Sequence, residues 1–184
     1  MSSTPASSIA DPAPLGLAGF ALTTFVLSLA NAGLLPAGAD HVVVPLAAAY
    51  GGLAQFCAGM WEFKRGNTFG AVAFTSYGAF WFSFVILITA SIHQIPAASI
   101  PASLGIYLIA WGIFTAIMTY AATKIGSMPV LSVFVLLTIT YFVLGIGAWG
   151  GLPGISVIGG YVGILTAIAA WYASATMVYG SLPK

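Results

Sequence analysis

The side chains in this sequence that could do chemistry are mainly uncharged hydrogen-bonding groups inside long apolar runs. Hydroxyl, amide and phenol groups can hold a small polar solute or anion weakly, and weak binding lets the solute leave again. The exception is Glu62, an acid that stands close to Lys64 and Arg65. The polar residues expected to line a solute path are Thr23, Thr24, Asn31, Tyr50, Gln55, Glu62, Thr75 and Thr138.

Two of these residues have a second interpretation. Gln55 lies near the middle of its apolar run, so its amide either forms a hydrogen-bonded clasp between helices or faces the path. Glu62 either forms a salt bridge at the rim with Lys64 or Arg65, or supplies a charge that discriminates among anions or holds an inner gate closed. Both alternatives stay open at the level of the sequence.

Residue sets typical of enzymes or metal centres are absent from the sequence. It contains no Ser/His/Asp set, no HExxH motif and no paired carboxylates, so we predict no enzymatic activity, no cofactor and no metal site. His41 and His93 are either ordinary exposed loop residues or groups that tune solute uptake and its pH response. Cys57, the one cysteine, is predicted to be a small buried side chain.

The composition places the chain in a membrane. Of 184 residues, 60% are hydrophobic and only 4% are charged, whereas soluble domains carry about 25% charged residues. The mean hydropathy is +1.07, and continuous apolar runs of about 20 residues favour helices over a β-barrel. A net charge of +1 without any basic run excludes nucleic-acid binding. The predicted fold class is an all-α polytopic membrane protein.

Six apolar runs are long enough to cross a hydrocarbon core of roughly 30 Å as helices rising about 1.5 Å per residue. The connections between them are short, so we predict one transmembrane domain over residues 11–184, with its six helices around a central path. Residues 1–10 are predicted to be a flexible cytoplasmic tail. The predicted spans are Leu15–Leu35, Val42–Phe63, Phe69–Ile92, Ala102–Ala122, Pro129–Trp149 and Ile155–Tyr179.

The basic residues orient these spans in the membrane. Lys64, Arg65, Lys124 and Lys184 fall on one side when six crossings are counted, and the opposite loops contain no Lys or Arg. Cytoplasmic loops of membrane proteins are enriched in these two residue types. Both termini are therefore predicted to be cytoplasmic, with the chain spanning the inner or plasma membrane of the cell.

The first apolar run opens with a helix start that contains two prolines. Asp11 can accept hydrogen bonds from the first free backbone amides, and Pro12 at the first helical position would lose no hydrogen bond. Phe20 follows three residues after this run. The run, DPAPLGL, consists of Asp11, Pro12, Ala13, Pro14, Leu15, Gly16 and Leu17.

Several runs resemble sequences of the acetate uptake transporter family, the succinate and acetate permeases. They are DPAPLGL with its following Phe, LANAG, YGGLAQF, EFKRGNTFGAVAFTSYGAFW and LGIYLIAWGIFT, in the family's order and spacing. The resemblance implies a six-helix transporter or channel for acetate and related short-chain carboxylates, succinate included, with or without a coupled proton. It also implies assembly as a homo-hexamer.

The resemblance further implies where the path is narrowest. In the family, the constriction is formed by a Phe after PAPLGL, a Tyr in FTSYG and a Leu of the fifth helix, which match Phe20, Tyr77 and, with less support from a motif, Leu137. Counted from the caps expected before their helices, each lies nine or ten residues in, roughly 14 Å deep. Three such side chains at one depth can dewet a path and exclude hydrated ions.

Two residues depart from the family pattern. Asp11 stands where the family usually has Asn, which places an extra carboxylate at the mouth of the first helix. Ala30 replaces the His of the family's LHNAG run. If that His contributes to pH dependence in the family, this chain is expected to show less of it.

Taken without the resemblance, the residues fit other functions as well. Uncharged donors and an aromatic constriction suit a urea or short-amide channel equally well, and a nontransporting membrane scaffold or sensor needs no path. Because no Lys or Arg lies at the membrane centre to receive a carboxylate, low affinity is expected. Any coupled proton is expected to travel on the solute or through groups at the rim.

Overall fold

The computed structural model describes residues 9–183, and its architecture is a bundle of six membrane-length helical spans. The predicted number of spans is confirmed, and their bounds differ from the predicted ones by up to five residues. Residues 1–8 of the predicted tail lie outside the described residues, as does residue 184. Numbered one to six in chain order, the spans are Ala13–Asn31, Ala39–Arg65, Thr68–Thr89, Ala97–Ala122, Met128–Trp149 and Pro153–Gly180.

Side chains cap the third and fifth spans at the expected positions. The Asn67 side chain accepts a hydrogen bond from the backbone amide of Gly70 at 3.2 Å, and Ser127 Oγ accepts one from Val130 at 3.5 Å. Such caps satisfy amides that have no partner within the helix. The third and fifth spans therefore begin directly after a short polar side chain that caps the helix.

The start of the first span differs from the prediction by one residue. Asp11 Oδ1 accepts a hydrogen bond from the backbone amide of Ala13 at 3.0 Å, as expected of a capping carboxylate. Pro12, however, precedes the helix, and the first helical residue is Ala13. Pro12 itself has no amide hydrogen to donate, so the carboxylate reaches the next amide along the chain.

The second span is not a regular α-helix. It passes through a 3₁₀ turn, Ala39–Val42, a short α-helical segment, Val43–Leu46, and a π-helical segment, Ala47–Ala54, before the α-helix Gln55–Arg65. Apolar length and composition predict a helix here but carry no signal for its hydrogen-bond pattern. Short π-helical insertions often occur at functional sites.

The six spans pack in chain order as a ring. Each span packs beside the next one in the sequence, the sixth packs along the first, and the third and fourth spans touch least. Small residues permit the closest approaches. A Cβ atom on Gly51 would lie only 2.8 Å from Thr23 Oγ1 and from Trp81 Cδ1, so the first three spans meet at this glycine. A solute path, if it follows the axis of the bundle, would run through the interior of this ring.

The outward face of the ring is apolar. Large side chains such as Ile113, Ile117, Leu165 and Tyr172 are exposed, as expected of helices that face lipid. Cys57 is exposed too, so the prediction that its side chain is buried was wrong. Composition cannot distinguish a lipid-facing position from a buried one, because both are apolar. The protein is a multi-pass membrane protein.

Candidate solute path

A cavity of about 160 Å³ lies inside the ring, at the end of the bundle that carries Lys64, Arg65 and Lys124. This end is called the Lys/Arg end below. The walls of the cavity come from every span except the fourth and are mostly apolar. They consist of Ala13, Leu17, Phe20, Gln55, Glu62, Asn67, Phe69, Gly70, Ala73, Phe74, Tyr77, Ile125, Val130, Val133, Phe134, Leu137 and Met177.

Phe20, Tyr77 and Leu137, which come from three different spans, all line this cavity and are each at most 4% exposed. The ring centroids of Phe20 and Tyr77 are 6.0 Å apart. The Tyr77 hydroxyl donates a hydrogen bond to Thr115 Oγ1 of the fourth span at 3.0 Å. This bond anchors the end of the side chain to a neighbouring span and leaves the aromatic ring at the cavity. The arrangement suits a constriction, which is the role predicted for these residues.

An aromatic cluster continues from Tyr77 along the third span. Phe80 is 5.0 Å from Trp81, 5.2 Å from Trp111 and 5.5 Å from Tyr141, measured between ring centroids. These residues were not among the predicted site residues. Tyr77, Phe80 and Trp81 are spaced three and four apart, so they share one helix face, and this spacing could have indicated the cluster.

A second cavity, of about 470 Å³, lies at the opposite end of the bundle, which is called the His end here because it carries His41 and His93. Asn31 lines this cavity, as does Ala30, the residue that replaces the family's His. His41 is exposed and also lies on the wall, with its Nδ1 atom 3.0 Å from the Gly38 carbonyl oxygen. On the third span, Tyr77 lines the cavity at the Lys/Arg end and Phe84 lines the cavity at the His end. Phe80 stands between them in sequence and stacks on Phe84, with the ring centroids 6.2 Å apart.

Three of the predicted path residues line the two cavities. Gln55 and Glu62 line the cavity at the Lys/Arg end, and Asn31 lines the cavity at the His end. Thr24 is buried, and its hydroxyl has no hydrogen-bond partner among the described residues. Tyr50 lines a groove on the outside of the bundle, between the start of the first span and the end of the sixth.

The remaining predicted path residues lie at contacts between helices. Thr23 donates a hydrogen bond to the Gly19 carbonyl at 2.9 Å, within its own span. Thr138 lies 2.9 Å from Thr119 and so joins the fifth span to the fourth. Thr75 packs against the backbone at Gly59, where a glycine permits the second and third spans to touch. Hydroxyl groups in membrane helices commonly satisfy such local bonds, so sequence position alone does not identify those that face a path.

Glu62 is placed differently from a rim residue. Its side chain has 0% exposure. Glu62 Oε2 accepts a hydrogen bond from Asn67 Nδ2 at 3.0 Å and lies 4.0 Å from Arg65 Nη1, whereas Oε1 has no partner among the described residues. The predicted rim salt bridge therefore exists only as a long contact to Arg65. Arg65 instead pairs closely with Asp11.

The DPAPLGL run serves several contacts at the Lys/Arg end. Ala13 and Leu17 line the cavity, and the Pro14 carbonyl accepts a hydrogen bond from Ser174 Oγ at 2.7 Å. Leu15 faces the outer groove. Gly16 lies against the Phe74 ring, where a Cβ atom would come within 2.6 Å of the ring. The run thus packs the first span against the third and sixth spans beside the cavity.

Replacing Asp11 with Asn is expected to change stability only slightly. The Asn side-chain oxygen can still accept the hydrogen bond from the Ala13 amide, so only the ion pair with Arg65 is lost. The side chains of this pair are partly exposed, 43% for Asp11 and 28% for Arg65. An exposed ion pair contributes at most about 1 kcal/mol and is screened by salt. Thermal unfolding in detergent at low and high salt measures the stability of the variant against the parent. A loss of several kcal/mol in stability that persists at high salt would contradict this prediction.

Comparison with known proteins places this arrangement among transport proteins. The chain is 37% identical to the chain in the structure of the bacterial acetate channel SatP, with a TM-score of 0.87 over 96% of this chain and 99% of that one. It is 39% identical over 164 residues to the succinate-acetate/proton symporter SatP of Escherichia coli K12, covering 89% of this chain and 86% of that protein.

A fungal relative and a family model agree with this placement. Acetate permease A of Emericella nidulans is 42% identical over 182 residues, which cover 91% of this chain but only 61% of the length of that longer protein. The model of the GPR1/FUN34/yaaH family matches residues 1–181. This chain belongs to the GPR1/FUN34/yaaH family.

Proposed function

We propose that this chain transports acetate and related short-chain carboxylates, such as succinate, across the inner or plasma membrane. The observation that carries the proposal is the convergence of Phe20, Tyr77 and Leu137 on one cavity of the ring. The names of the relatives support the solute class, since those proteins are an acetate permease, an acetate channel and a succinate-acetate/proton symporter.

The size and lining of the cavity suit a small solute. A cavity needs about 10–15 Å³ to hold one water, so a volume of about 160 Å³ accommodates a solute of a few heavy atoms. Over residues 9–183, the polar side chains on its wall are uncharged apart from Glu62, and none of the wall residues is a Lys or Arg. Such a site binds a carboxylate weakly and releases it readily. Among the described residues, the wall holds no set of groups typical of an enzyme that would make or break bonds between the heavy atoms of the solute, so a role as an enzyme is not proposed.

The orientation belongs to the same proposal. Lys64, Arg65 and Lys124 lie at the end of the bundle where the first span starts, and enrichment of Lys and Arg favours the cytoplasm. We therefore place the Lys/Arg end, both termini and the tail over residues 1–10 on the cytoplasmic side. Homo-hexameric assembly, implied by the family resemblance, is also part of the proposal, and light scattering of the detergent-solubilised protein measures the number of subunits.

Uptake of radiolabelled acetate into liposomes that contain the purified protein tests the proposed function. We expect uptake above that of protein-free liposomes, which accounts for passive diffusion of acetic acid. Excess unlabelled succinate is expected to compete, and excess urea is not. Competition by urea without competition by carboxylates would favour a short-amide channel, and absence of any flux would favour a nontransporting scaffold.

A further inference from the structure

Within the part of the chain that the structure describes, Glu62 is the one acidic side chain on the wall of the cavity. An apolar conduit for small solutes does not require such a group. The Glu62 side chain is completely buried, and its Oε1 atom lacks a hydrogen-bond partner among the described residues. Both properties are unusual for a carboxylate, because a buried charge is stable only when it is paired and its oxygens accept hydrogen bonds. Packing alone therefore does not explain a carboxyl group at this position.

The neighbouring residues hold this carboxyl group at the cavity. Asn67 donates a hydrogen bond to Oε2, and Gly70 leaves room for the carboxyl group on the third span. A Cβ atom at position 70 would lie 2.8 Å from both Oε1 and the carboxyl carbon of Glu62. One oxygen of Glu62 is thus fixed by Asn67, while the other stays open to a further partner.

The charged groups around Glu62 leave this open oxygen free. Among the described residues, the other charged side chains at the Lys/Arg end are Asp11, Lys64, Arg65 and Lys124. Within the described residues, only Arg65 comes as near as 4.0 Å to the carboxyl group, and it approaches Oε2. The Arg65 guanidinium is already paired with Asp11 of the first span. No hydrogen-bond donor of the described part of the chain bonds with Oε1.

A protonated Glu62 would match this environment better than an ionised one. The acid form removes the buried charge and converts one oxygen into an O–H donor. The carboxylate of a solute in the cavity is a strong acceptor for such a donor. Phe20, Tyr77 and Leu137 line the same cavity. An ionised solute passes these apolar side chains only at a high desolvation cost.

We propose that Glu62 exchanges a proton with the carboxylate solute in this cavity, so that the solute crosses the constriction as the neutral acid. This inference rests on the proposed function. For movement from the Lys/Arg end, the O–H bond of protonated Glu62 breaks, an O–H bond forms on the solute, and water at the mouth returns a proton to Glu62. For the opposite direction, the neutral acid gives its proton to ionised Glu62, which passes it to water. One proton accompanies one monocarboxylate, so no net charge crosses.

Two substitutions at this position distinguish proton exchange from a structural role. Glu62→Gln preserves the size of the side chain and its ability to bond with Asn67, but it cannot exchange a proton. Glu62→Asp is shorter but retains the carboxyl group. If Glu62 exchanges protons, acetate flux at pH 7 falls roughly tenfold or more in the Gln variant, and the Asp variant transports faster than the Gln variant. If Glu62 only packs and bonds with Asn67, the Gln variant transports faster than the Asp variant, because Gln keeps the size of the side chain and Asp does not.

The experiment measures labelled acetate uptake from pH 5.5 to pH 8 in liposomes with the parent or either variant, after subtraction of protein-free liposomes. In the Gln variant, flux is expected to follow the bulk concentration of undissociated acid, falling about tenfold per pH unit. The control Asp40→Asn removes an exposed carboxylate that lines the other cavity, at the His end, and not the cavity of Glu62. This variant is expected to keep the shape of the parent's pH profile. Thermal unfolding confirms that each variant is folded.

The outcomes separate this inference from the proposed function. If the parent moves no acetate above the protein-free background, the proposed function fails and this inference fails with it. If the parent transports acetate but the Gln variant is as fast as the Asp variant or faster, only proton exchange by Glu62 is overturned. A parent-like pH profile in the Gln variant overturns it as well.

Discussion

Shortening Leu137 to Ala is expected to raise carboxylate flux about tenfold, which corresponds to a barrier lowered by about 1.4 kcal/mol. Leu137 is 4% exposed and lines the cavity together with Phe20 and Tyr77. Removal of its isobutyl group widens the one aliphatic side of the proposed constriction. The gain is expected to be larger for four-carbon succinate than for two-carbon acetate, because the larger solute is held back more by a narrow passage.

The adjacent substitution Leu136→Ala serves as the matched control. This substitution removes the same atoms from the same span. Leu136, however, is half-buried and is not among the described residues that line the cavity. Its flux is expected to stay near that of the parent. Uptake is normalised to folded protein, because a buried Leu→Ala change costs about 2–5 kcal/mol of stability. Equal flux in the two variants and the parent would show that Leu137 does not limit passage.

Gly160→Ala is expected to destabilise the protein by about 2–3 kcal/mol through overpacking. A Cβ atom on Gly160 would lie 2.7 Å from the Ala32 Cα atom and 2.7 Å from the Asn31 carbonyl carbon. Both are backbone atoms at the end of the first span, so no side-chain rotation can relieve the clash. The first and sixth spans would have to separate at the His end of the ring.

Gly154→Ala, in the same span, is the control for this prediction. No atom lies within 4 Å of a Cβ placed on Gly154, so its stability is expected to change by less than about 1 kcal/mol. Thermal unfolding in detergent measures both variants, and the expected loss for Gly160→Ala corresponds to a fall of roughly 5–10 °C in Tm. An unchanged Tm for Gly160→Ala would mean that the two spans are not in tight contact there.

The elements that position the site were predictable because their signals are local. Asn67 and Ser127 cap their helices where the sequence placed helix starts, and each caps through its own side chain. Phe20, Tyr77 and Leu137 lie at similar depths from those starts, and the structure has all three on one cavity wall. Their selection among many apolar residues came from the family resemblance, since hydrophobicity alone does not mark a constriction.

The hydroxyl-bearing residues were harder to place. Thr23, Thr75 and Thr138 lie at helix contacts, and Tyr50 faces an outer groove, although all four stand at similar depths to residues that line the cavities. In a membrane protein both faces of a helix are apolar, so the hydrophobic pattern carries little information on which face points inward. The direction of each side chain depends on how neighbouring spans rotate against one another.

By itself, the sequence determined the membrane location of this protein, its six spans and its family, because hydropathy, helix caps and motif spacing are properties of short segments. Only the tertiary structure decided that Glu62 is buried at the cavity rather than exposed at the rim, and that Arg65 pairs with Asp11 from a different span. Burial and partner choice result from packing between segments distant in the chain. Local residue patterns do not specify that packing. The proposal of proton exchange therefore depends on the tertiary structure, which shows that Glu62 is buried at the cavity.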